Sequence, residues 1–126
     1  PVLTLKADAT VYSAMRFFID NSISGAPVVD ANENMVGLLS EKDCLRLVTK
    51  GVNHHVPAGK VADYMTKKVI TISPVMDIYY VAGIFLRNHF RRLPVIENGR
   101  LIGQISRRDV LRAITENLEK DVSNEK

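Results

Sequence analysis

Two stretches of the chain carry apolar residues at the spacing of an amphipathic helix. Their apolar positions follow the pattern i, i+3, i+4, i+7 and i+8, which places them on one face of a helix packed against a core. In the first stretch they are Val11, Ala14, Met15, Phe18 and Ile19, and in the second Ile78, Val81, Ala82, Phe85 and Leu86. Thr10 and Asp77 precede the two stretches, where a side-chain oxygen can cap a helix.

Short apolar runs flank each predicted helix and predict strands. One run precedes each helix, Val2–Leu5 in the first half of the chain and Val69–Ile72 in the second. Two more follow, Ala26–Val29 and Met35–Leu39 in the first half, Leu93–Ile96 and Leu101–Ile105 in the second. The turn in the second half contains Asn98-Gly99, a strong hairpin signal. A further helix is predicted to begin after Ser40 and after Ser106.

The two halves are copies of one β-α-β-β-α unit. Pro27 and Pro94 lie 67 positions apart, and after a one-residue deletion in the turn an offset of 66 superimposes Gly37–Asp43 on Gly103–Asp109. One consistent register along both halves implies a duplication. The predicted fold class is therefore mixed α/β (α+β). Neither copy alone can cover its sheet, so we expect the two repeats to pack about a pseudo-two-fold axis.

The repeat register also predicts the domain boundaries. Residues 1–52 form the first repeat, which lacks the lead-in that the register would place before Pro1, and residues 67–118 form the second. Residues 53–66 are a linker and lead-in helix; in this part of the chain Gly51–Gly59 is predicted to be a loop and Lys60–Met65 a short helix. The tail, residues 119–126, is charged and is expected to fray.

Composition excludes several classes of protein. With 46% apolar and 25% charged residues the chain is typical of a soluble globular protein, and no apolar run approaches the ~20 residues needed to cross a bilayer. The lone Cys44 excludes an internal disulfide and favours a reducing, cytoplasmic location. The net charge of +3 argues only weakly for anionic partners.

Catalysis and metal binding are not expected. The sequence contains no G-x-G-x-x-G motif, no GK[ST] phosphate loop and no evident nucleophile–base pair. His54, His55 and His89 have no carboxylate or cysteine spaced for joint coordination, so they predict no metal site.

The segments GLLSEKD and GQISRRD carry the most specific chemistry. Their Ser-x-x-Asp turns, the Ser40 turn (residues 40–43) and the Ser106 turn (residues 106–109), each open a predicted helix, whose free N–H groups favour phosphate. The serine hydroxyl can donate to a phosphate or sugar oxygen, and an ionised Asp43 or Asp109 can accept from the two hydroxyls of a ribose. The same pattern also describes a capping box, and both interpretations remain open.

Basic residues distinguish the second copy. Arg107 and Arg108 stand in the first turn of a helix, where cations oppose the helix dipole unless an anion binds nearby. Arg91 and Arg92 precede Leu93-Pro94, and guanidinium groups pair well with phosphate. The equivalent positions of the first copy are Ser24, Gly25, Glu41 and Lys42. The two copies are therefore not expected to bind equally, although the arginines can equally be solvated surface charge.

An adenine ring would need an apolar slot. Val69 and Ile70 are candidates, and the backbone around them could contact the edge of a base. Residues beside the prolines are further candidates, but they are more simply explained as core: Ala26, Val28, Leu93 and Val95.

Together these motifs resemble a tandem pair of CBS (cystathionine β-synthase) domains. The resemblance rests on the duplicated β-α-β-β-α order, Ala26-Pro27-Val28 with Leu93-Pro94-Val95, the D-x-M-T lead-in at Asp63–Thr66 and the two G-h-h-S-x-x-D segments, and it covers Val2 to about Leu118. Gln104 departs from the pattern because it occupies an apolar position. The resemblance implies two clefts related by the pseudo-two-fold axis, which in this family often bind AMP, ADP, ATP or S-adenosylmethionine.

By the same resemblance, the ligand-binding residues would be Ser106 and Asp109 with Ser40 and Asp43, assisted by the basic and apolar residues Arg91, Arg92, Arg107, Arg108, Lys42, Val69 and Ile70. Modules of this family commonly form homodimers and commonly regulate an attached or associated protein. The leading hypothesis is therefore a regulatory module that senses an adenine nucleotide. The alternatives are a ligand-free dimerisation scaffold for a partner protein and, ranked last, a nucleic-acid binder, because the aromatic residues are expected mostly on core-facing helix stripes.

Overall fold

The computed structural model describes residues 2–50 and 59–124, except the side chains of the last two, and divides the chain into two compact units. The first unit is Pro1–Val69 and the second is Ile70–Lys126. In chain order the elements are β1 (Leu5–Lys6), α1 (Val11–Asn21), β2 (Gly25–Val29), β3 (Met35–Ser40), α2 (Glu41–Lys50), α3 (Val61–Tyr64), α4 (Ile78–Arg87), β4 (Arg92–Glu97), β5 (Arg100–Ser106) and α5 (Arg107–Asn124). This is the mixed α/β architecture with two sheet-and-helix repeats that the sequence predicts.

In the first unit three strands form a sheet in the order β1-β2-β3. β1 is parallel to β2, with Leu5 opposite Val28, and β2 is antiparallel to β3, with Pro27 opposite Leu38. Helices α1 and α2 bury their apolar faces against this sheet. The buried core of the unit consists of Leu5, Val11, Ala14, Phe18, Ala26, Val28, Leu39, Cys44 and Val61.

The second unit repeats this arrangement with a shorter first strand. β4 and β5 are antiparallel, with Pro94 opposite Gln104, and Ile72 adds one parallel bridge to Val95. Ile72 donates its backbone N–H to Pro94 O at 3.0 Å, and its carbonyl accepts from Ile96 N at 2.8 Å. The buried core of this unit consists of Ile72, Val81, Ile84, Phe85, Leu93 and Val110.

The predicted first strand of each repeat is wrong in its bounds. The strand of the first repeat is Leu5–Lys6 rather than Val2–Leu5, and Val69–Ile72 contributes only the single bridge at Ile72. In both repeats the third residue of the central strand is a proline, Pro27 or Pro94, which has no N–H to donate. Pairing with the preceding segment therefore starts only at the following valine, so the first strand is short and shifted.

The predicted buried faces of the first helices are too wide. Ile19 is 66% exposed and Leu86 is 88% exposed, although Phe18 and Phe85 beside them are buried. Most aromatic residues also lie outside the core, contrary to the sequence prediction; the exposed ones are Tyr12, Tyr64, Tyr79, Tyr80 and Phe90. A helix on a sheet of two or three strands buries a narrow arc, so positions next to that arc face solvent.

The predicted helix N-caps, hairpin turn and helix start positions are confirmed. Thr10 Oγ1 accepts from Ser13 N at 3.1 Å, and Asp77 Oδ1 accepts from Tyr79 N at 2.8 Å, so both act as N-caps. Asn98 and Gly99 have positive φ values of 53° and 81°, as a two-residue hairpin turn requires. The second helix of each repeat begins directly after Ser40 and Ser106.

The charged tail does not fray where the sequence predicts. Helix α5 continues past Leu118 to Asn124, beyond the expected limit of the repeat. Glu116 and Lys120 are spaced i, i+4 in this exposed part of the helix, a pairing that supports isolated helical turns. Most of the predicted loop Gly51–Gly59, residues 51–58, lies outside the described residues. Among the described residues, no helix has the length and apolar character needed to cross a bilayer.

The lead-in to the second repeat packs on the first unit. Val61 is fully buried, and its N–H donates to Ala9 O at 2.8 Å. Two residues after α3, Thr66 exchanges backbone hydrogen bonds with Leu38 of β3. The predicted helical segment at 60–65 is thus present as one turn of helix, and it closes the sheet edge of the repeat that precedes it.

Candidate functional site

The two Ser-x-x-Asp turns occupy the same place in the two repeats. Ser40 is the last residue of β3 and Ser106 is the last residue of β5, and a helix begins at the next residue in each case. The strand fixes the serine at the end of the sheet, and the first helical turn brings the aspartate back over it. Each turn therefore joins a hydroxyl, a carboxylate and a helix N-terminus.

The Ser106 turn is closed by a reciprocal hydrogen-bond pair. Asp109 Oδ2 accepts from Ser106 N at 2.8 Å and from Ser106 Oγ at 2.9 Å, while Asp109 N donates to Ser106 Oγ at 3.2 Å. Its other oxygen, Oδ1, lies 3.4 Å from Arg112 Nη1. The capping-box interpretation is confirmed, and one carboxylate oxygen remains only loosely engaged.

Asp109 is held ionised by this arrangement. The hydrogen bonds from the backbone N–H and then from the hydroxyl of Ser106 lower the pKa of its carboxyl below the usual 3.8; desolvation opposes them, and the charges of Arg112 and Arg92 contribute less in the same direction as the hydrogen bonds. A hydrogen bond to the charged form favours that form. At neutral pH the group is therefore an acceptor only, as contact with ribose hydroxyls requires.

The Ser40 turn has the same bonds but is more enclosed. Asp43 Oδ2 accepts from Ser40 N at 2.9 Å and from Ser40 Oγ at 3.0 Å, and Asp43 Oδ1 lies 3.0 Å from Arg46 Nη1. The Asp43 side chain is 12% exposed, whereas that of Asp109 is 43% exposed. The two repeats thus present the same chemistry to solvent to different extents.

The helix N-termini also differ. In the first unit Glu41 N donates to Ser24 O at 2.8 Å, so the leading N–H of α2 is already bonded. Its counterpart, Arg107 N, has no backbone partner within residues 2–50 and 59–124. Free N–H groups at a helix start attract anions. In the second repeat Arg107 N could bind an anion, whereas in the first repeat the equivalent N–H is already bonded to Ser24 O.

The predicted basic residues lie around the Ser106 turn. Arg107 and Arg108 are the first two residues of α5, and Arg92, the first residue of β4, pairs directly opposite Ser106. Arg91 immediately precedes β4 and is exposed. None of these four arginines forms an ion pair or a side-chain hydrogen bond with another described residue, although Arg92 lies near enough to Asp109 to affect its pKa.

Sequence reasoning missed Arg46 and Arg112, which contact the two aspartates. The signal was present, because each arginine follows its aspartate by three positions on a helix, where side chains of opposite charge meet. Each arginine forms an ion pair with Oδ1 of its aspartate, so a ligand that contacts this oxygen would compete with the arginine.

Other predicted site residues are less well placed for this site. Lys42 lines a shallow depression together with Leu45, Arg46 and Thr49, all on α2. Val69 is half-buried and Ile70 is exposed; neither lies in a strand, and their backbone groups make no hydrogen bond to other described residues. The residues beside the prolines are core, as the simpler interpretation predicts, with Ala26, Val28 and Leu93 buried and Val95 packed on the core of its unit.

Cys44 follows Asp43 but is not an activated thiol. It is buried in the core of the first unit, and desolvation, with the charges of Asp43 and Glu41, raises the pKa of its thiol. A raised pKa leaves less thiolate, which is the nucleophilic form. Within the described residues no three His, Cys, Asp or Glu side chains cluster as metal ligands, and His54 and His55 lie outside those residues.

The two sheet-and-helix repeats, each with a Ser-x-x-Asp turn at the start of its last helix, define a tandem pair of CBS domains, which is a class of regulatory module. The family model described as "CBS domain" matches residues 1–50 and again residues 61–116. This chain belongs to the CBS domain family.

Its relatives include free-standing and enzyme-attached modules. The uncharacterized protein MJ1225 of Methanocaldococcus jannaschii is 33% identical over 113 residues, which are 90% of this chain and 39% of that protein. Inosine-5'-monophosphate dehydrogenase of the same organism is 33% identical over 112 residues, 88% of this chain and 21% of the enzyme. The chain thus spans well under half of either relative.

Solved structures show the same fold. The crystal structure of CBSX2 in complex with AMP superimposes with a TM-score of 0.75 at 29% identity, covering 91% of this chain and 88% of that one. CBSX2 is a CBS-pair protein of Arabidopsis thaliana. A protein of very similar size and fold has therefore been crystallised with an adenine nucleotide.

Proposed function

We propose that this chain is a non-catalytic regulatory module that senses an adenine nucleotide, with its main binding determinants at the Ser106 turn. The observation that carries the proposal is the ionised Asp109 at a turn flanked by Arg92, Arg107 and Arg108, none of which forms an ion pair with another described residue. CBSX2, which shares the fold, was crystallised with AMP. Occupancy would be passed to an attached or associated protein by favouring one of two packing states.

The phosphate is assigned to the start of α5. Arg107 N has no backbone partner among the described residues there, and the guanidinium groups of Arg107, Arg108 and Arg92 can make charge-assisted hydrogen bonds. Two cations in a first helical turn each oppose the helix dipole by ~0.3–1 kcal/mol, and a bound anion removes that conflict. This arrangement favours AMP, ADP or ATP over S-adenosylmethionine, which carries no phosphate.

The ribose is assigned to Asp109. Its Oδ2 already accepts two hydrogen bonds from Ser106, so a ribose hydroxyl would be bound by Oδ1, whose contact with Arg112 is long at 3.4 Å. Capping and binding are therefore compatible in one residue. The exposed Ile70 and the half-buried Val69, whose backbone groups make no hydrogen bond to other described residues, are the candidates for contact with the adenine.

The Ser40 turn is assigned a weaker role. Asp43 is more enclosed, its Oδ1 is held at 3.0 Å by Arg46, and the leading N–H of α2 is bonded to Ser24 O. Lys42 and Glu41 take the places of two arginines, so the local charge is less favourable to phosphate. A nucleotide would bind here with lower affinity than at the Ser106 turn.

Thermal unfolding with AMP, ADP, ATP and S-adenosylmethionine tests the proposal on the wild type, Asp109→Ala and Asp43→Ala. A ligand at 100 times its Kd stabilises the folded chain by ~2.7 kcal/mol, which is readily measured. We expect a ligand-induced increase in Tm that Asp109→Ala loses and Asp43→Ala keeps. Both variants lose a helix cap, so each is the stability control for the other. No increase with any ligand would contradict nucleotide sensing.

A ligand-free dimerisation scaffold is the second candidate. It is favoured by exposed apolar residues that recur at equivalent positions of the two repeats, Tyr12 with Tyr79 and Leu45 with Leu111. Repeated exposed apolar side chains are typical of a surface that meets another protein. Sedimentation of the wild type beside Leu45→Glu/Leu111→Glu tests it: a homodimer that the double variant converts to monomer, without any nucleotide effect on Tm, would favour the scaffold.

A further inference from the structure

The two repeats differ in charge along their first long helix and the loop that follows it. In the second repeat, residues 78–96 contain no acidic residue and four basic ones, which are Arg87, His89, Arg91 and Arg92. The equivalent residues of the first repeat, 11–29, contain one cation and one anion, Arg16 and Asp20, which form an ion pair at 3.0 Å. The same stretch of backbone is therefore neutral in the first unit and positively charged in the second.

The fold of the second unit brings further basic residues to this stretch. Arg87 ends α4, Arg92 begins β4 and lies opposite Ser106, and Arg107 begins α5 directly after that serine. The resulting group, the basic rim, consists of Arg87, His89, Arg91, Arg92, Arg107 and Arg108. All six are exposed, and none forms an ion pair or a side-chain hydrogen bond with another described residue.

Phe90 lies within the basic rim and reaches solvent. It is 38% exposed between His89 and Arg91, whereas its counterpart in the first repeat, Ile23, packs against the core. Exposed aromatic rings beside cations bind single strands, because bases stack on the rings while the cations contact phosphates. The sequence ranks a nucleic-acid binder last because it predicts the aromatic residues mostly in the core, and the exposure of Phe90 removes that reason.

A second aromatic residue extends the rim along α4. Tyr80 is 57% exposed and precedes Arg87 by seven positions, so the two lie on one face of the helix, about 10 Å apart along its axis. The Arg87 side chain extends back toward Tyr80 over Gly83, because a Cβ built on this glycine would be 3.0 Å from Arg87 Nη1. Aromatic and cationic groups therefore alternate from Tyr80 through Arg87 to Phe90 and Arg91.

We propose that the basic rim, together with Phe90 and Tyr80, binds single-stranded nucleic acid. The cations contact phosphates, and the two rings stack on bases without selecting a sequence. A duplex is bound less well, since its bases are stacked on one another and are not accessible to the rings. This function is additional to nucleotide sensing, whose proposed determinants share Arg92 and both arginines of α5 but include neither Arg87 nor an aromatic residue.

Fluorescence anisotropy of the complete chain with labelled oligonucleotides tests the proposal. The probes are oligouridylate and oligothymidylate of about twelve nucleotides, beside a DNA duplex of the same length. We expect saturable binding of the single strands that weakens about 50-fold between about 50 and 200 mM salt, as about four phosphate contacts require. The duplex should bind roughly tenfold more weakly, because stacking on the rings is lost.

Variants outside the nucleotide site separate the two functions. Arg87→Gln should reduce the slope of log affinity against log salt by about 0.7, since one phosphate contact is lost. Phe90→Leu keeps the apolar volume without the ring and should weaken binding roughly 5- to 150-fold, whereas Phe90→Tyr should bind like the wild type. All three variants should keep the increase in Tm with AMP, so the failure of nucleotide sensing and the failure of this proposal are distinguishable.

Arg16→Gln is the matched control, because it removes the same charge from the first unit and should leave binding unchanged. Equal losses with Arg16→Gln and Arg87→Gln would overturn the proposal, since net charge alone would then explain the binding. Complete displacement by AMP with Phe90→Leu unaffected would also overturn it, because the end of the strand would then occupy only the Ser106 turn. Absence of saturable binding, or equal binding of the duplex or of labelled polyglutamate, would do the same.

Discussion

Ser106 and Asp109 hold each other through three hydrogen bonds, so that neither side chain turns freely. Two of these bonds end on the single oxygen Asp109 Oδ2, at 2.8 and 2.9 Å, and the third returns from Asp109 N to Ser106 Oγ at 3.2 Å. Capping would therefore not prevent this aspartate from binding a ligand as well. The cap fixes one oxygen, and the orientation that it imposes presents the other.

Acid should weaken the chain in part through Asp109. Its pKa is lowered in the folded state, so its contribution to stability is complete above the unfolded pKa near 3.8 and is lost as the pH falls through the lower folded value. We expect Asp109→Asn to be less stable than the wild type at neutral pH, with a difference that shrinks below about pH 4. Urea unfolding at a series of pH values measures this difference.

Asp8→Asn is the control for that series. Asp8 is exposed and forms no ion pair or side-chain hydrogen bond with another described residue, so its replacement should change the free energy of unfolding by no more than about 0.5 kcal/mol. A stability difference for Asp109→Asn that is the same at every pH would contradict an ionised, hydrogen-bonded carboxylate.

Adjacent residues of α1 should respond very differently to truncation. Phe18 is 4% exposed and Ile19 is 66% exposed. Phe18→Ala should cost ~3–5 kcal/mol because it leaves a cavity in the core. Ile19→Ala should change the free energy of unfolding by no more than about 0.5 kcal/mol. Chemical denaturation of both variants checks this, and Phe85→Ala beside Leu86→Ala repeats the test in the second unit; equal effects within a pair would contradict the burial pattern.

The N-cap of α1 can be isolated from its other contacts. Thr10 Oγ1 accepts from Ser13 N at 3.1 Å, so Thr10→Ala should lower the free energy of unfolding by ~1 kcal/mol. Thr10→Ser keeps the hydroxyl and should stay close to the wild type. If both variants were equally destabilised, the threonine methyl rather than the cap would be responsible.

Gly37 should tolerate no side chain, because a Cβ there would approach Met65 Sδ to 2.6 Å and Thr66 O to 2.8 Å. Gly37→Ala should therefore destabilise the chain by ~1–3 kcal/mol through overpacking. Met65→Ala in the same chain should recover part of this loss, which a double-mutant cycle of thermal unfolding measures. Additive effects of the two changes would contradict contact between these residues.

Short-range signals predicted the fold best. Thr10, Asp77 and Asn98-Gly99 act through neighbours two or three positions away, so the sequence alone contains both partners of each interaction. The apolar pattern alone misplaces the first strands, because their pairing depends on a strand some 20 positions later along the chain that contains a proline. The width of a helix's buried face also depends on distant elements, and for that reason the helical spacing wrongly predicts that Ile19 and Leu86 are buried.

The residues of the candidate site could be predicted from the sequence, but the different surroundings of its two aspartates, Asp43 and Asp109, could not. The Ser-x-x-Asp pattern is the same in both repeats, and the hydrogen bonds within it are nearly the same. What separates Asp109 from Asp43 is exposure and the bond from Glu41 N to Ser24 O, both of which depend on how flanking segments pack. Composition and residue spacing do not predict how those flanking segments pack.

The stretch 61–69 belongs to the second repeat by sequence and to the first unit by packing. The boundary between the two sequence repeats therefore differs from the boundary between the two compact units. A gene divided at the family boundary would separate β3 from Val61 and Thr66, which complete its unit. Fusion joints and truncations in this protein should accordingly be placed after Val69. A cut there divides the second sequence repeat but keeps the first compact unit, Pro1–Val69, intact.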